Sequence, residues 1–185
     1  MKHLVFLLEE ISMKAVLDEL LPSILPERFT FQTIKHEGRT DLEKSIPRKL
    51  RAFRIPGVQF VVLRDQDNSD CKEVKRRLLQ LCFEGGRTDA LVRVVCHELE
   101  SWFLGDLMAV ENAFNSKGIA RKQDKAQFRS PDRLANPCEV LQKMVPEYQK
   151  FSGSREIAKH MNIDANCSVS FNAFIEGVRK IILAS

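Results

Sequence analysis

One stretch limits the possible folds more than any other: Val58-Gln59-Phe60-Val61-Val62-Leu63-Arg64-Asp65-Gln66-Asp67. Its β-branched and large apolar residues end abruptly in two carboxylates one residue apart. Pro56-Gly57 precede the run and Asn68-Ser69-Asp70 follow it, so it reads as a short strand bounded by turns. Its apolar residues are successive rather than alternate, which predicts burial on both faces, the habit of parallel sheets covered by helices. Such sheets bind ligands at the carboxyl ends of their strands. Asp65 and Asp67 fall at that end, and the alternation of strand side chains predicts both on one side of the chain. Two carboxylates that close repel unless a cation neutralises them, and hard oxygen donors select Mg²⁺ or Mn²⁺.

The rest of the chain repeats the unit. Residues 3–8 form a first apolar run closing on Glu9, and a helix follows with Ser12 as its N-cap and Val16, Leu17, Leu20 and Leu21 on one face, stopped by Pro22. Residues 29–34 form a second strand, which passes into the polar turn His36-Glu37-Gly38-Arg39. The next helix, 41–54, carries Leu42, Ile46, Leu50 and Phe53 at helical spacing; Pro47 either begins its main part, capped by Ser45, or kinks it. Residues 71–83 make an amphipathic helix closed by Gly85-Gly86, residues 90–96 a fourth strand ending at His97-Glu98-Leu99-Glu100, and residues 101–114 a further helix. Four strand–helix units in strict alternation specify an α/β fold with a mainly parallel four-stranded sheet flanked by helices. From 115 to 135 the pattern weakens into basic, loop-like sequence. Short helices are expected at 137–144 and near 156–161, with residues 148–155 as a polar connection, and a last helix at 170–183.

At 185 residues and 44% hydrophobic content, one domain is expected, with residues 1–114 as the metal-binding core and 115–185 as a basic, mostly helical extension packed on it. The composition excludes disordered and fibrous chains. No apolar run is long enough to span a membrane, and Glu9-Glu10 interrupt the first one, so neither membrane span nor signal peptide is expected. The five cysteines lack any C-x-x-C pair, which favours reduced thiols in a cytoplasm over a zinc knuckle or disulfide scaffold. The net charge of +4 is unevenly placed: residues 115–160 hold ten basic and five acidic side chains, and elsewhere the signs nearly balance. A basic surface beside an acidic cleft suits a nucleic-acid backbone; a solvated Lys/Arg-rich loop is the plain alternative.

Three of the four strands end in acids: Glu9 on the first, Asp65 and Asp67 on the third, Glu98 and Glu100 on the fourth. In a parallel sheet these ends share one edge, where they either hold metal or stand as solvated or Arg-paired acids. A first-strand Glu followed by a helix, with Asp-x-Asp closing the third strand, resembles the Toprim domain of topoisomerases, primases and the overcoming-lysogeny-defect (OLD) nucleases. More closely, Leu8-Glu9 with Ser12, His36-Glu37-Gly38, Leu63-Arg64-Asp65-Gln66-Asp67, His97-Glu98-Leu99-Glu100-Ser101-Trp102, Pro131-Asp132-Arg133-Leu134 with Asn136-Pro137, and Tyr148-Gln149-Lys150 with Ser152-Gly153 resemble a bacterial Toprim-like domain-of-unknown-function family over nearly the whole chain. The resemblance implies a Toprim-like, Rossmann-like core in which Glu9 is the first-motif acid and Asp65 and Asp67 are the metal pair. Glu98 is a further candidate ligand and Glu100 a further candidate catalytic acid. The chain departs from the Toprim pattern at Glu10, where those domains commonly place Gly; the larger acid either crowds the turn or adds a ligand.

The chemistry so implied is Mg²⁺- or Mn²⁺-dependent phosphoryl transfer on nucleic acid, DNA before RNA. His36, Arg39, His97, Lys150, Ser152 and Arg155 are candidate phosphate or nucleic-acid contacts, the last three beside a helix N-terminus that favours anions. A hydrogen-bonding role for each His that orients neighbouring groups without touching phosphate, and a capped polar turn for the last three, are the alternatives. No P-loop is present, and OLD nucleases work with ATPases, so the resemblance implies a partner ATPase in a bacterial defence or repair system; a homodimer is also compatible. Two rivals stand beside the nuclease: a non-catalytic nucleotide- or partner-binding module, and a phosphatase of the haloacid-dehalogenase type, whose Asp-x-Asp normally ends the first strand rather than the third.

Overall fold

The computed structural model describes residues 1–184. Four strands, β1 (Lys2–Leu8), β2 (Phe29–Lys35), β3 (Gln59–Asp65) and β4 (Leu91–Val95), form one sheet in the order β2-β1-β3-β4. All three pairings are parallel, with Leu8 opposite Leu63 and Asp65 opposite Val95. The α/β architecture expected from the alternation is therefore present.

Side chains of successive strand residues divide the core in two. Leu4, Phe6, Leu8, Val61, Leu63 and Val95 face one layer, while Val5, Leu7, Phe60, Val62, Val92 and Val94 face the other. The second layer is closed by α2 (Arg39–Ala52) and α3 (Cys71–Glu84), through residues such as Leu42, Ile46, Val74 and Leu78. The first is closed by α1 (Ile11–Ile24) together with the chain after β4: α4 (Glu100–Leu104), α5 (Leu107–Phe114), α7 (Pro137–Met144), α8 (Lys150–Ala158) and α9 (Val169–Leu183). Between α5 and α7 lie two 3₁₀ turns and the single-turn α6 (Ala126–Arg129), where the sequence predicts only loop. Trp102, fully buried, stacks edge-on against Phe171 at 5.1 Å and donates its Nε1–H to Ser170 Oγ, fastening α4 to α9. Among the described residues no helix is long and apolar enough to cross a membrane.

Several local expectations are corrected. Pro22 lies inside α1, which continues to Ile24 without the one hydrogen bond that the missing N–H would have made. Ser12 is not the N-cap; Glu10 occupies that position, and the Ser12 hydroxyl donates to the Glu10 carboxylate. Pro47 lies inside α2 rather than beginning its main part, and Ser45 hydrogen-bonds His36 rather than capping. The helix expected at 101–114 breaks at Gly105-Asp106, where Asp106 caps α5 by accepting from the Ala109 N–H. A Cβ at Gly105 would stand 2.2 Å from Asn166 Oδ1, so the break admits the 166–168 segment against the backbone. The connection expected at 148–155 is mostly helix. Gly153 and its flanking serines weaken its intrinsic propensity, but α8 is held by packing on α1 and on Tyr148, whose ring would lie 2.6 Å from a Cβ at Gly153.

Candidate functional site

The chain leaves β1 toward one edge of the sheet and leaves β3 toward the other, so the carboxyl ends of these neighbours form the crevice where doubly wound sheets take ligands. Glu9 and Asp65 occupy it. The Asp65 N–H donates to Glu9 Oε2 at 3.0 Å, and Arg64 Nε lies 3.8 Å from the same oxygen. Asp65 continues the Val61-Leu63 alternation toward α1 and α4. There it is buried, and its Oδ1 has no hydrogen-bond partner.

Glu100 enters the same space from the first turn of α4. It is 1% exposed; Oε1 accepts from the Tyr148 hydroxyl at 2.9 Å, and Oε2 has no partner. Tyr148 is fixed in turn by Ser154, 2.8 Å away. Lys150, the first residue of α8, brings its ammonium to 3.7 Å from Glu10 Oε2. The carboxylates answer to this crowding. Burial holds Asp65 well above the usual carboxylate range, with Glu10, Glu9 and Glu100 adding repulsion and Lys150 opposing it. Burial also raises Glu9 and Glu100. For Lys150 burial disfavours the charge, but Glu100, Glu10 and Asp65 outweigh it and hold the ammonium above its ordinary range.

The other candidates scatter. Asp67 does not continue the strand: β3 ends at Asp65, and Asp67 turns off with φ 53°, donating its N–H to the His97 carbonyl. It reaches the site as a charge that raises Glu9, not by strand alternation. Glu98 spends Oε2 on the Cys138 N–H in the first turn of α7, which ties the basic segment to the end of β4. His36 is buried between the Leu8 carbonyl and Ser45, and burial lowers its proton affinity, so it acts as a neutral brace of the β1 terminus. His97 has φ 57° and a buried Nδ1 without a partner. Arg39 is exposed at the start of α2, on the other side of the sheet. Ser152 is exposed on α8, and Arg155 is engaged with Glu19 midway along α1. Glu10 and Tyr148 belong to the site without having been assigned to it from the sequence, although Glu10 marked a departure from the Toprim pattern and Tyr148 lay in one of the family-like motifs.

Two buried carboxylate oxygens without hydrogen-bond partners, amid mutually repelling acids, fit a hard divalent cation. Among the described residues no group of three or more His, Cys, Asp or Glu side chains is gathered to hold an ion unaided. Mg²⁺ in general takes one or two protein carboxylates and completes its shell with water and substrate phosphate.

The same crowding has a thermodynamic consequence. A carboxyl whose folded pKa is raised keeps its proton where the unfolded chain has lost it, so stability falls as pH rises from the ordinary Asp value of 3.8 toward the higher folded value. A divalent ion should recover that loss. At roughly 100 times its dissociation constant it should add about 2.7 kcal/mol, an increase of about 5–10 °C in melting temperature for a chain this size. The increment should shrink as the buffer is taken toward pH 5; a metal-induced shift equally large at both pH values, in scanning calorimetry, would contradict this account. Tyr148→Phe should cost about 1–3 kcal/mol in urea unfolding, because it leaves Glu100 with neither oxygen satisfied.

A family model described as a domain of unknown function, DUF4276, matches residues 8–179. A search of curated proteins gives no match. Two solved structures share the fold. The C-terminal region of the Burkholderia pseudomallei OLD protein aligns with a TM-score of 0.60 at 17% identity, covering 97% of this chain and 98% of that one. The C-terminal region of the Xanthomonas campestris pv. campestris OLD protein aligns with a TM-score of 0.53 at 15% identity, covering 98% and 96%.

Proposed function

The chain belongs to the DUF4276 family, and from that premise we propose that it is a Toprim-like, Mg²⁺- or Mn²⁺-dependent nuclease module that cleaves nucleic-acid phosphodiesters, working beside a partner ATPase in bacterial defence or repair. The observation that carries the proposal is the meeting of Glu9 and Asp65 at the crevice between β1 and β3, with Asp65 Oδ1 buried and unpartnered. The fold shared with the OLD C-terminal regions supports it.

Glu9 and Asp65 would hold the ion, with Asp67 approaching from the turn after β3. The chemistry a divalent cation supplies there is neutralisation of phosphate charge and activation of water. The chain's own groups do the rest. Glu100 Oε2, of raised proton affinity and fixed through Tyr148, is suited to accept a proton from attacking water. Lys150 keeps its proton and meets the phosphate as a cation rather than as a base. The basic segment around α7, whose first turn is held by Glu98, would supply the cations for the flanking strand.

The test is nicking of supercoiled plasmid DNA in Mg²⁺ or Mn²⁺, suppressed by EDTA. One observation favours a second reading, a non-catalytic module: the Lys150–Glu10 pair neutralises part of the cluster without metal. Capture of a partner ATPase or nucleotide with no turnover in either metal would select that reading.

A further inference from the structure

On the other side of the sheet from Asp65, the N-terminal parts of α2 and α3 line a cleft of ≈ 590 Å³. Its wall carries Arg39, Lys44, Arg64 and Arg77 against two carboxylates, Glu43 and Glu73. Arg64 is the unusual member. It is 4% exposed, directly precedes Asp65, and spends Nη1 on Glu43 at 2.8 Å while its Nε has no hydrogen-bond partner. Glu43 also takes Arg77, at 3.4 Å, so one carboxylate spans two guanidiniums. The first turn of α2 adds backbone N–H groups: Gly38, at φ 94°, turns the chain into the helix, and no side chain caps it. The Arg64 Nε turns away toward Glu9 Oε2, so the cleft draws on the Nη edge of this guanidinium; with Arg39, Lys44 and Arg77 on the same wall and the uncapped start of a 14-residue helix beside them, the cavity gathers the donors that a phosphate takes.

We propose that this cleft binds a phosphate group, with Arg64, Arg77 and Lys44 as its cations and the start of α2 as its backbone donor. In the ligand-free protein Glu43 occupies the guanidiniums and yields them when phosphate enters. The site is separate from the carboxylate cluster and shares with it only Arg64, whose Nε faces Glu9. It stands whether or not the chain cleaves nucleic acid, because its occupancy needs no metal.

The test is equilibrium binding in EDTA, using two probes: a short fluorescent single-stranded oligonucleotide by anisotropy and inorganic pyrophosphate by calorimetry. The double variant Lys44→Gln/Arg77→Gln changes exposed side chains and should stay folded; it should weaken both probes about tenfold or more. Glu43→Gln removes the competing carboxylate and should tighten both several-fold, a gain that lost structure does not produce. Oligonucleotide binding much tighter than pyrophosphate would identify a strand backbone as the source of the phosphate. Pyrophosphate binding as tightly, and displacing the oligonucleotide, would identify a small phosphate ester. No saturable binding of either probe, equal affinity in wild type and double variant, or weaker binding by a folded Glu43→Gln protein would each overturn the proposal.

Discussion

Asp65→Asn should lower metal-dependent plasmid nicking by about 10²–10³-fold, a loss of roughly 3–4 kcal/mol of transition-state stabilisation. Asn keeps the volume of the side chain and the backbone N–H that Glu9 accepts, so the architecture at the end of β3 survives. What disappears is the anionic oxygen that now lies buried without a partner. Unfolding should move the other way. In EDTA near neutral pH the variant should be at least as stable as the wild type, because it removes one of the acids that repel Glu9, Glu10 and Glu100. Added Mg²⁺ should then raise its melting temperature far less than it raises that of the wild type. Full nicking activity in a folded Asp65→Asn protein would remove this residue from the chemistry.

Trp102→Ala should cost about 3–5 kcal/mol in urea unfolding, a large share of the 5–15 kcal/mol that holds a typical domain. The indole is fully buried, lies against Phe171 and Phe174 at 5.1 and 5.3 Å, and satisfies its N–H on Ser170. Its removal leaves a void where α4 crosses α9 and a hydroxyl short of a donor. Glu100 stands two residues earlier on the same five-residue helix, so metal-dependent nicking should weaken along with stability. Trp102→Phe, which refills most of the volume, should recover more than half of the loss. A Trp102→Ala midpoint within experimental error of the wild type would mean that α4 is held by something other than this contact.

The sheet was legible because each strand is a dense apolar run between turn residues, and parallel strands buried on two faces write themselves that way. Edge placement of Glu9 and Asp65 followed from strand order and nothing more local. Strand alternation stops short of Asp67 for a physical reason: it holds only while the backbone is extended, and the left-handed residue at that position ends it. The break at Gly105-Asp106 was hidden because apolar periodicity runs through it, and the cause lies about sixty residues away in Asn166. Lys150 was read as a phosphate contact but not as the counter-charge of Glu10 and Glu100. That role depends on α8 docking beside α1, a tertiary event that no local pattern announces. The Arg64–Glu43–Arg77 network was likewise out of reach, since its members lie on three different elements.

The carboxylates come from the first hundred residues, whereas Tyr148 and Lys150, which orient and offset them, come from α8 and the residues just before it, made later. A ribosome therefore finishes the acidic half well before the half that tames it. Until α8 has emerged and docked, the nascent polypeptide carries ligands without their governor, and the centre matures only with synthesis of the C-terminal third.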